Sequence, residues 1–349
     1  MSDTTAPSRE AVGPPAPPGG GRSGPGVLRS GLGIFARQRE ATVFVVAAVL
    51  LLYFGLRYNS TFISQTNAVN LLSETAAPIM IIGIGEVLLL ISGEIDLSVG
   101  FIYAFAPFLM YFLITYYHVP ALLAIILTLV MGLAAGWVNG FLTVTLGLPS
   151  FITTLGTGFV LAGLTLTTSH AYPVNVPPSS VSIGKWIGSD GWSQIIWAVV
   201  LVAIFHVVLT RTRWGLHTVA TGGNQLGARE SGINVGRIKY GNFMITGVLG
   251  ALVGLQAAFY THTIDPLAGG YQPMFYAVTA AVIGGTAMLG GQGTILGAFL
   301  GAIVLSTLIN GLNVAGVSAN PLDIIFGGAI LIAMIANVRL ARLRAAGRS

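Results

Sequence analysis

The chain lacks cysteine entirely and is poor in charge: none of its 349 residues is Cys, and only 8% are Asp, Glu, Lys or Arg. The first absence excludes disulfides, thiolate metal sites and a cysteine nucleophile. The second excludes an ordinary soluble domain, in which about 25% of residues are charged. Signatures of catalysis are missing as well. No GxxxxGK[ST] occurs, so the chain carries no P-loop of its own. His118, His170, His206, His217 and His262 are scattered without HExxH or HxxxH spacing, which speaks against a metal site. There is no GxSxG, and Gly291-Gln292-Gly293 has neither the spacing nor the βαβ context of a dinucleotide loop. The sequence therefore predicts no enzyme, no metal and no cofactor bound by this chain.

What is present is apolar. Hydrophobic residues make up 54% of the chain, with 47 Gly, and the mean hydropathy is +0.82. These values define an all-α, polytopic membrane protein. Residues 1–33 hold Pro14-Pro15, Pro17-Pro18 and Gly19-Gly20-Gly21 with no apolar run. They predict a disordered cytoplasmic tail, and no cleavable signal peptide is expected there. A spanning helix needs about 20 mainly apolar residues. Ten such segments follow, at 41–56, 68–92, 97–116, 119–145, 150–168, 193–210, 240–260, 274–289, 294–314 and 321–338. The eighth is short and Gly-rich, so it reads as a full span or as a re-entrant or broken helix. Pro78 and Pro107 fall inside the second and third and predict kinks, which neighbouring helices tolerate in a bilayer.

The net charge of +5 points to the membrane rather than to nucleic acid. With the N-terminus inside and ten crossings, Arg9, Arg22, Arg29, Arg37, Arg39, Arg211, Arg213, Arg229, Arg237, Lys239, Arg339, Arg342, Arg344 and Arg348 all lie inside. Only Arg57 and Lys185 lie outside. That split obeys the positive-inside rule and places both termini in the cytoplasm.

The stretch Ile91–Gly100 (ISGEIDLSVG) sets two carboxylates, Glu94 and Asp96, among Gly93, Ser98 and Gly100 between two apolar runs. Acids at the edge of hydrocarbon are costly and usually mark function. The same residues also suit a polar inner turn in which Asp96 caps the next helix. Glycines recur every four positions at Gly132, Gly136 and Gly140, at Gly250 and Gly254, and at Gly293, Gly297 and Gly301. Such spacing lets helices approach closely, within one bundle or between subunits. Tyr116, Tyr117, Trp186, Trp192 and Trp214 suit aromatic belts.

Two soluble segments are long. The outer one, 169–192, holds Pro173, Pro177 and Pro178 and is either a plain loop or a docking surface for an extracytoplasmic partner. The inner one, 211–239, reads as a turn at Gly222-Gly223-Asn224 and then a short helix, Gln225–Ser231, stopped by Gly232. It is longer than a connection requires, which favours a protein contact. At membrane depth Asn139, Phe151, Thr153, Thr154, Asn310, Asn313 and Glu86 are candidates for a substrate path. Each also suits a hydrogen bond or packing contact between helices.

Several stretches resemble the ribose-type permeases of ABC importers, within the branched-chain amino acid/ribose permease superfamily. Gly93–Gly100 (GEIDLSVG) is similar to the family's GGIDLSVG, and Leu148–Gly163 to its LPxFIxTLGT segment. Thr221–Arg237 is similar to the GGNxxAAxxSGI inner loop; Ala281–Gly301 and Asn310–Ser318 resemble its glycine-rich and NGLNLLGVS segments. The resemblance covers about 40–345 and departs from the family at Glu74, Glu86, Glu94 and Asn337. It implies a monosaccharide importer's permease subunit in the bacterial inner membrane, paired with a second permease as a homo- or heterodimer. An extracytoplasmic sugar-binding protein would deliver substrate. A cytoplasmic ABC ATPase, a fused double one, would bind ATP-Mg and drive alternating access. Gly222, Gly223, Asn224, Arg229, Ser231, Gly232 and Ile233 would lie in the loop that meets that ATPase. Nucleosides or branched-chain amino acids are alternative substrates. An ion-coupled carrier using Glu86, Glu94 and Asp96 is a rival of another class.

Overall fold

The computed structural model describes residues 39–317 and a few isolated positions beyond them. The first half contains α1 (Arg39–Arg57), α2 (Asn59–Phe62), α3 (Gln65–Asn70), a π-helical segment (Leu71–Ala76), α4 (Ala77–Ile91), α5 (Val99–Thr115), α6 (Ala121–Gly140) running into a second π segment (Phe141–Thr145), and α7 (Ser150–Ser169). The second half contains β1 (Val174–Asn175), α8 (Val181–Ile187), α9 (Gly191–Arg211), α10 (Arg213–Gly223), α11 (Gln225–Glu230), α12 (Val235–Thr261), β2 (Thr263–Ile264), α13 (Tyr271–Ile283) and α14 (Ile295–Val314).

The helix starts follow from local chemistry. Asp190, Thr212, Asn224, Asn234 and Thr294 each accept a hydrogen bond from the backbone N–H three residues on. Each such cap stabilises its helix by about 1 kcal/mol. α7 and α12 end at His170 (φ 53°) and His262 (φ 58°) in the left-handed conformation. The two connections that follow these helices meet there in an antiparallel pair, Val174 with Ile264 and Asn175 with Thr263.

α4 is the axis of the bundle. Every residue of it except Pro78 is buried, as expected of a helix that is apolar all round. It contacts α9, α10, α12, α13 and α14. Pro78 does not kink the span in mid-helix. It sits in the first turn of α4, directly after the π segment, which has already widened the turn. The glycine stripes are intrachain contacts. A Cβ on Gly132 or Gly247 would meet the other's carbonyl oxygen, and Gly136 lies against Phe243, Gly254 against Tyr103, and Gly301 against Ala280.

Among the described residues seven helices are long and apolar enough to cross a membrane, against ten expected segments. α5 has 17 residues and α13 has 13. At 1.5 Å per residue they extend about 25 and 20 Å, short of a hydrocarbon core about 30 Å thick. The tail 1–33 and the tenth segment, 321–338, lie outside the described residues. Exposed side chains on α1, α6, α7 and α9 are largely Leu, Val, Ile and Phe, among them Leu52, Val130, Val160 and Val199. Such a surface is stable against lipid rather than water.

Candidate functional site

The Ile91–Gly100 stretch is a buried turn between α4 and α5, with Asp96 at its centre. Asp96 Oδ1 accepts from the Ser98 backbone N–H (2.8 Å) and hydroxyl (2.6 Å). The Asn139 amide of α6 donates to both Asp96 oxygens (3.3 Å each) and to Ser98 Oγ (2.8 Å). Asn139 Oδ1 in turn accepts from Thr157 Oγ1 of α7 (2.6 Å). Thr154 Oγ1 accepts from the Leu97 N–H (3.0 Å), and Ser150 Oγ accepts from Ile95 N–H (3.3 Å). Burial pushes the Asp96 carboxyl above the usual carboxylate range, while the donors from Ser98 and Asn139 hold it down. The network locks turn, α6 and α7 together. Asn139 and Thr154 thus act as joints within it.

Glu94 has a partner that the sequence did not disclose. Its carboxylate pairs with Lys239 of α12 at 2.5 Å, both side chains 11% exposed. Three residues along α12, Asn242 donates to the Leu88 carbonyl (3.1 Å) and Ser92 Oγ (3.3 Å), and accepts from Trp214 Nε1 (3.0 Å). Trp214 is half-buried and packs against Gly241. Tyr116, Tyr117, Trp186 and Trp192 are exposed. The signal for Asn242 was its polarity within an apolar segment; nothing local marked its partners.

Segment 211–239 reaches this turn directly. Gly222 and Gly223 are not a flexible turn but the last residues of α10. A Cβ on Gly222 would overlap the Ile91 carbonyl oxygen at the end of α4. That carbonyl accepts from Gly291 N–H (2.8 Å), in the loop between α13 and α14. Asn224 caps α11 through Gly227 N–H (2.9 Å), and Gly232 (φ 80°) follows the helix. Arg229, Ser231 and Gly232 are exposed, Ile233 is half-buried, and Leu216 and Leu226 are 66% and 68% exposed. Apolar side chains bared beside an exposed cation suit a protein contact.

α5 and α13 start at one point inside the bundle. Gly270 N–H donates to Gly100 O (3.0 Å), and Phe101 and Tyr271 meet edge to face at 5.0 Å. Gly250, fifteen residues into α12, packs on Val99, about 22 Å along that helix at 1.5 Å per residue. Two short helices whose N-termini abut at such depth are discontinuous elements of the transporter kind.

Of the remaining candidates, Glu86 and Phe151 lie beside this turn, whereas Asn310 and Asn313 do not converge on it. Asn310 makes reciprocal hydrogen bonds with Asn67 (3.0 Å each), joining α14 to α3. Asn313 is exposed near the end of α14. Phe151 is 55% exposed and borders an apolar hollow with Ile95, Met274 and Phe275. Thr153 is buried, and among the described residues its hydroxyl has no partner. Glu86 is fully buried within α4 beside Asp96, and among the described residues neither oxygen has a well-formed hydrogen-bond partner. Among the described residues no group of three His, Cys, Asp or Glu could hold a metal.

A multi-pass bundle with broken helices around a polar turn defines a membrane transport protein. Residues 67–335 match the family described as branched-chain amino acid transport system / permease component, and the chain belongs to that family. It is 35% identical over 314 residues to the xylose/arabinose import permease of Sulfolobus acidocaldarius, covering 86% of this chain and 85% of the relative. It is 32% identical over 298 residues to the ribose import permease of Escherichia coli K12, covering 83% and 91%. The D-allose transport system permease of the same strain is 32% identical over 295 residues, covering 83% and 89%. No solved structure matches the chain.

Proposed function

We propose that this chain is the permease subunit of an ATP-binding-cassette importer that carries a monosaccharide, a pentose or hexose, across the bacterial cytoplasmic membrane by alternating access. The observation that carries this reading is the contact of α10 with the end of α4 at Gly222 and Ile91. Through it, motion of the inner segment reaches the Asp96 turn and the start of α5. The relatives that carry xylose or arabinose, ribose and allose support the substrate class. The partners are a second permease subunit, identical or not, a fused double ATPase that binds ATP-Mg against α10 and α11, and an extracytoplasmic sugar-binding protein. Coupling needs an element with different contacts in its two states. The α10–α11 pair, with Leu216, Leu226 and Arg229 exposed, is that element.

The family description favours a second substrate class, branched-chain amino acids. Against an ion-coupled carrier, Glu94 is engaged by Lys239 and Asp96 by Ser98 and Asn139, which leaves only Glu86 of the three acids for a relay. The experiment is co-purification with co-encoded subunits, then ATP-dependent uptake in proteoliposomes of labelled pentoses, hexoses and leucine. Uptake of a monosaccharide that stops without ATP is expected. Uptake driven by an ion gradient, or by this chain alone, overturns the reading.

A further inference from the structure

The cavity that opens between the first π segment and the helices α5, α9, α12 and α13 has a volume of about 280 Å³. It lies at the N-terminal end of α4, away from α10 and α11. Glu74 precedes Ile91 by seventeen residues, about 25 Å of helix at 1.5 Å per residue. Its size falls just below the ~300–1,000 Å³ typical of small-molecule sites, which suits a single ring.

Its walls set it apart from the hollows elsewhere on the molecule. Tyr103, Tyr260 and Tyr276 supply aromatic faces, and Glu74, Gln194 and Gln272 supply planar polar groups. Tyr260 Oη donates to Glu74 Oε1 (2.9 Å), and Gln272 Nε2 donates to Tyr276 Oη (2.9 Å). Among the described residues no Lys, Arg or His lines the cavity, so an anion would meet a carboxylate and no counter-charge there. Glu74, Thr261 and Gln272 are exposed and reachable. Glu74 reaches the wall from the π segment, where Ala77 N–H bonds to Leu72 O in place of the α-helical partner. Single π turns are maintained at a cost in regular hydrogen bonding and recur at functional sites.

We propose that this cavity binds a neutral polyhydroxylated ring, with Glu74 and Gln272 hydrogen-bonding its hydroxyls and the tyrosines lying against its C–H faces. The site rests on the importer reading above and deepens it: it is where substrate enters the chain from the extracytoplasmic side, before the Asp96 turn. The occupied carboxylate oxygen keeps Tyr260 in place and leaves Glu74 Oε2 to the ligand.

The absence of cysteine makes a direct test available, because Gln272→Cys carries the sole thiol of this chain, and alkylation is read on this chain alone after the subunits are separated. The importer with this variant is reconstituted and alkylated with a membrane-impermeant maleimide, with xylose, arabinose, ribose, allose or choline present. At about ten times its Kd a bound sugar slows alkylation about tenfold. A thiol at Tyr172, 74% exposed in the outer segment, is unaffected. In parallel, Glu74→Ala and Gln272→Ala raise the KM for uptake about tenfold, as loss of a ligand hydrogen bond does, with melting temperatures reporting the fold. Uptake by the unaltered importer tests the function; protection tests the cavity. Protection without uptake upholds the cavity and overturns the function. Uptake with no protection and an unchanged KM overturns the cavity alone, and protection by choline but no sugar overturns its assigned chemistry.

Discussion

Asp96 shows how few residues hold the central turn. One carboxylate gathers donors from Ser98 and Asn139, and Asn139 passes the connection to Thr157. Asp96→Ala leaves these buried donors unmatched, at about 1–3 kcal/mol each. The chain is then expected to melt several degrees lower, whereas Thr157→Val, which removes one outer link, costs about 1 kcal/mol. Thermal unfolding in detergent checks both. The Glu94–Lys239 pair, nearly buried, makes a different prediction. Removing either partner strands the other charge and is expected to cost about 3–5 kcal/mol. Replacing both with apolar side chains of similar length recovers most of that loss, so a double-mutant cycle in melting temperature returns a large coupling.

Among the elements, the close crossing of α6 and α12 depends on having no side chain at Gly132 and Gly247. No hydrophobic force drives helices together within lipid, so the closeness of backbones carries the association. Gly247→Ala puts a methyl where the Gly132 carbonyl lies and is expected to cost about 3 kcal/mol or more, at the upper end of overpacking. The same exchange at Gly163, which has open space, raises helix propensity by up to about 1 kcal/mol. Expression level and melting temperature of the two variants should move in opposite directions. The short helices α5 and α13 use the same device, since Gly100 and Gly270 bring their ends into backbone contact.

For the molecule as a whole, the charge distribution and the bundle make a joint prediction. Arg211, Arg213, Arg229 and Arg237 gather at the end of α9, in α10 and α11 and at the start of α12, while Lys185 lies at α8 beside the opposite end of α12. Tags at the two ends are expected to be reachable only after the cytoplasmic membrane is permeabilised. A tag in 170–176 is expected to be labelled in intact cells. Labelling of both ends from outside would reverse the orientation, and labelling of one would remove a crossing.

Much of this protein could be read from the chain by itself. Long apolar runs in a chain with few charges leave no stable solvent but lipid, and helices satisfy their own backbone there, so class and most segment positions followed from local pattern. The polar turn at Asp96 and the stop of α11 at Gly232 were legible because their chemistry is local. Asp96, however, binds the Ser98 N–H within the turn rather than capping α5, whose N-cap is Ser98 without a side-chain cap bond. What tertiary structure alone decided are meetings between distant residues: Glu94 with Lys239, Asn310 with Asn67, Gly222 with Ile91, and Glu74 with Tyr260 around the cavity. It also decided where α5 and α13 begin relative to each other, because Gly100 and Gly270 meet there in backbone contact. Hydropathy reports each residue's preference for lipid or water; which polar groups satisfy one another inside depends on helix crossings that no stretch of chain encodes alone.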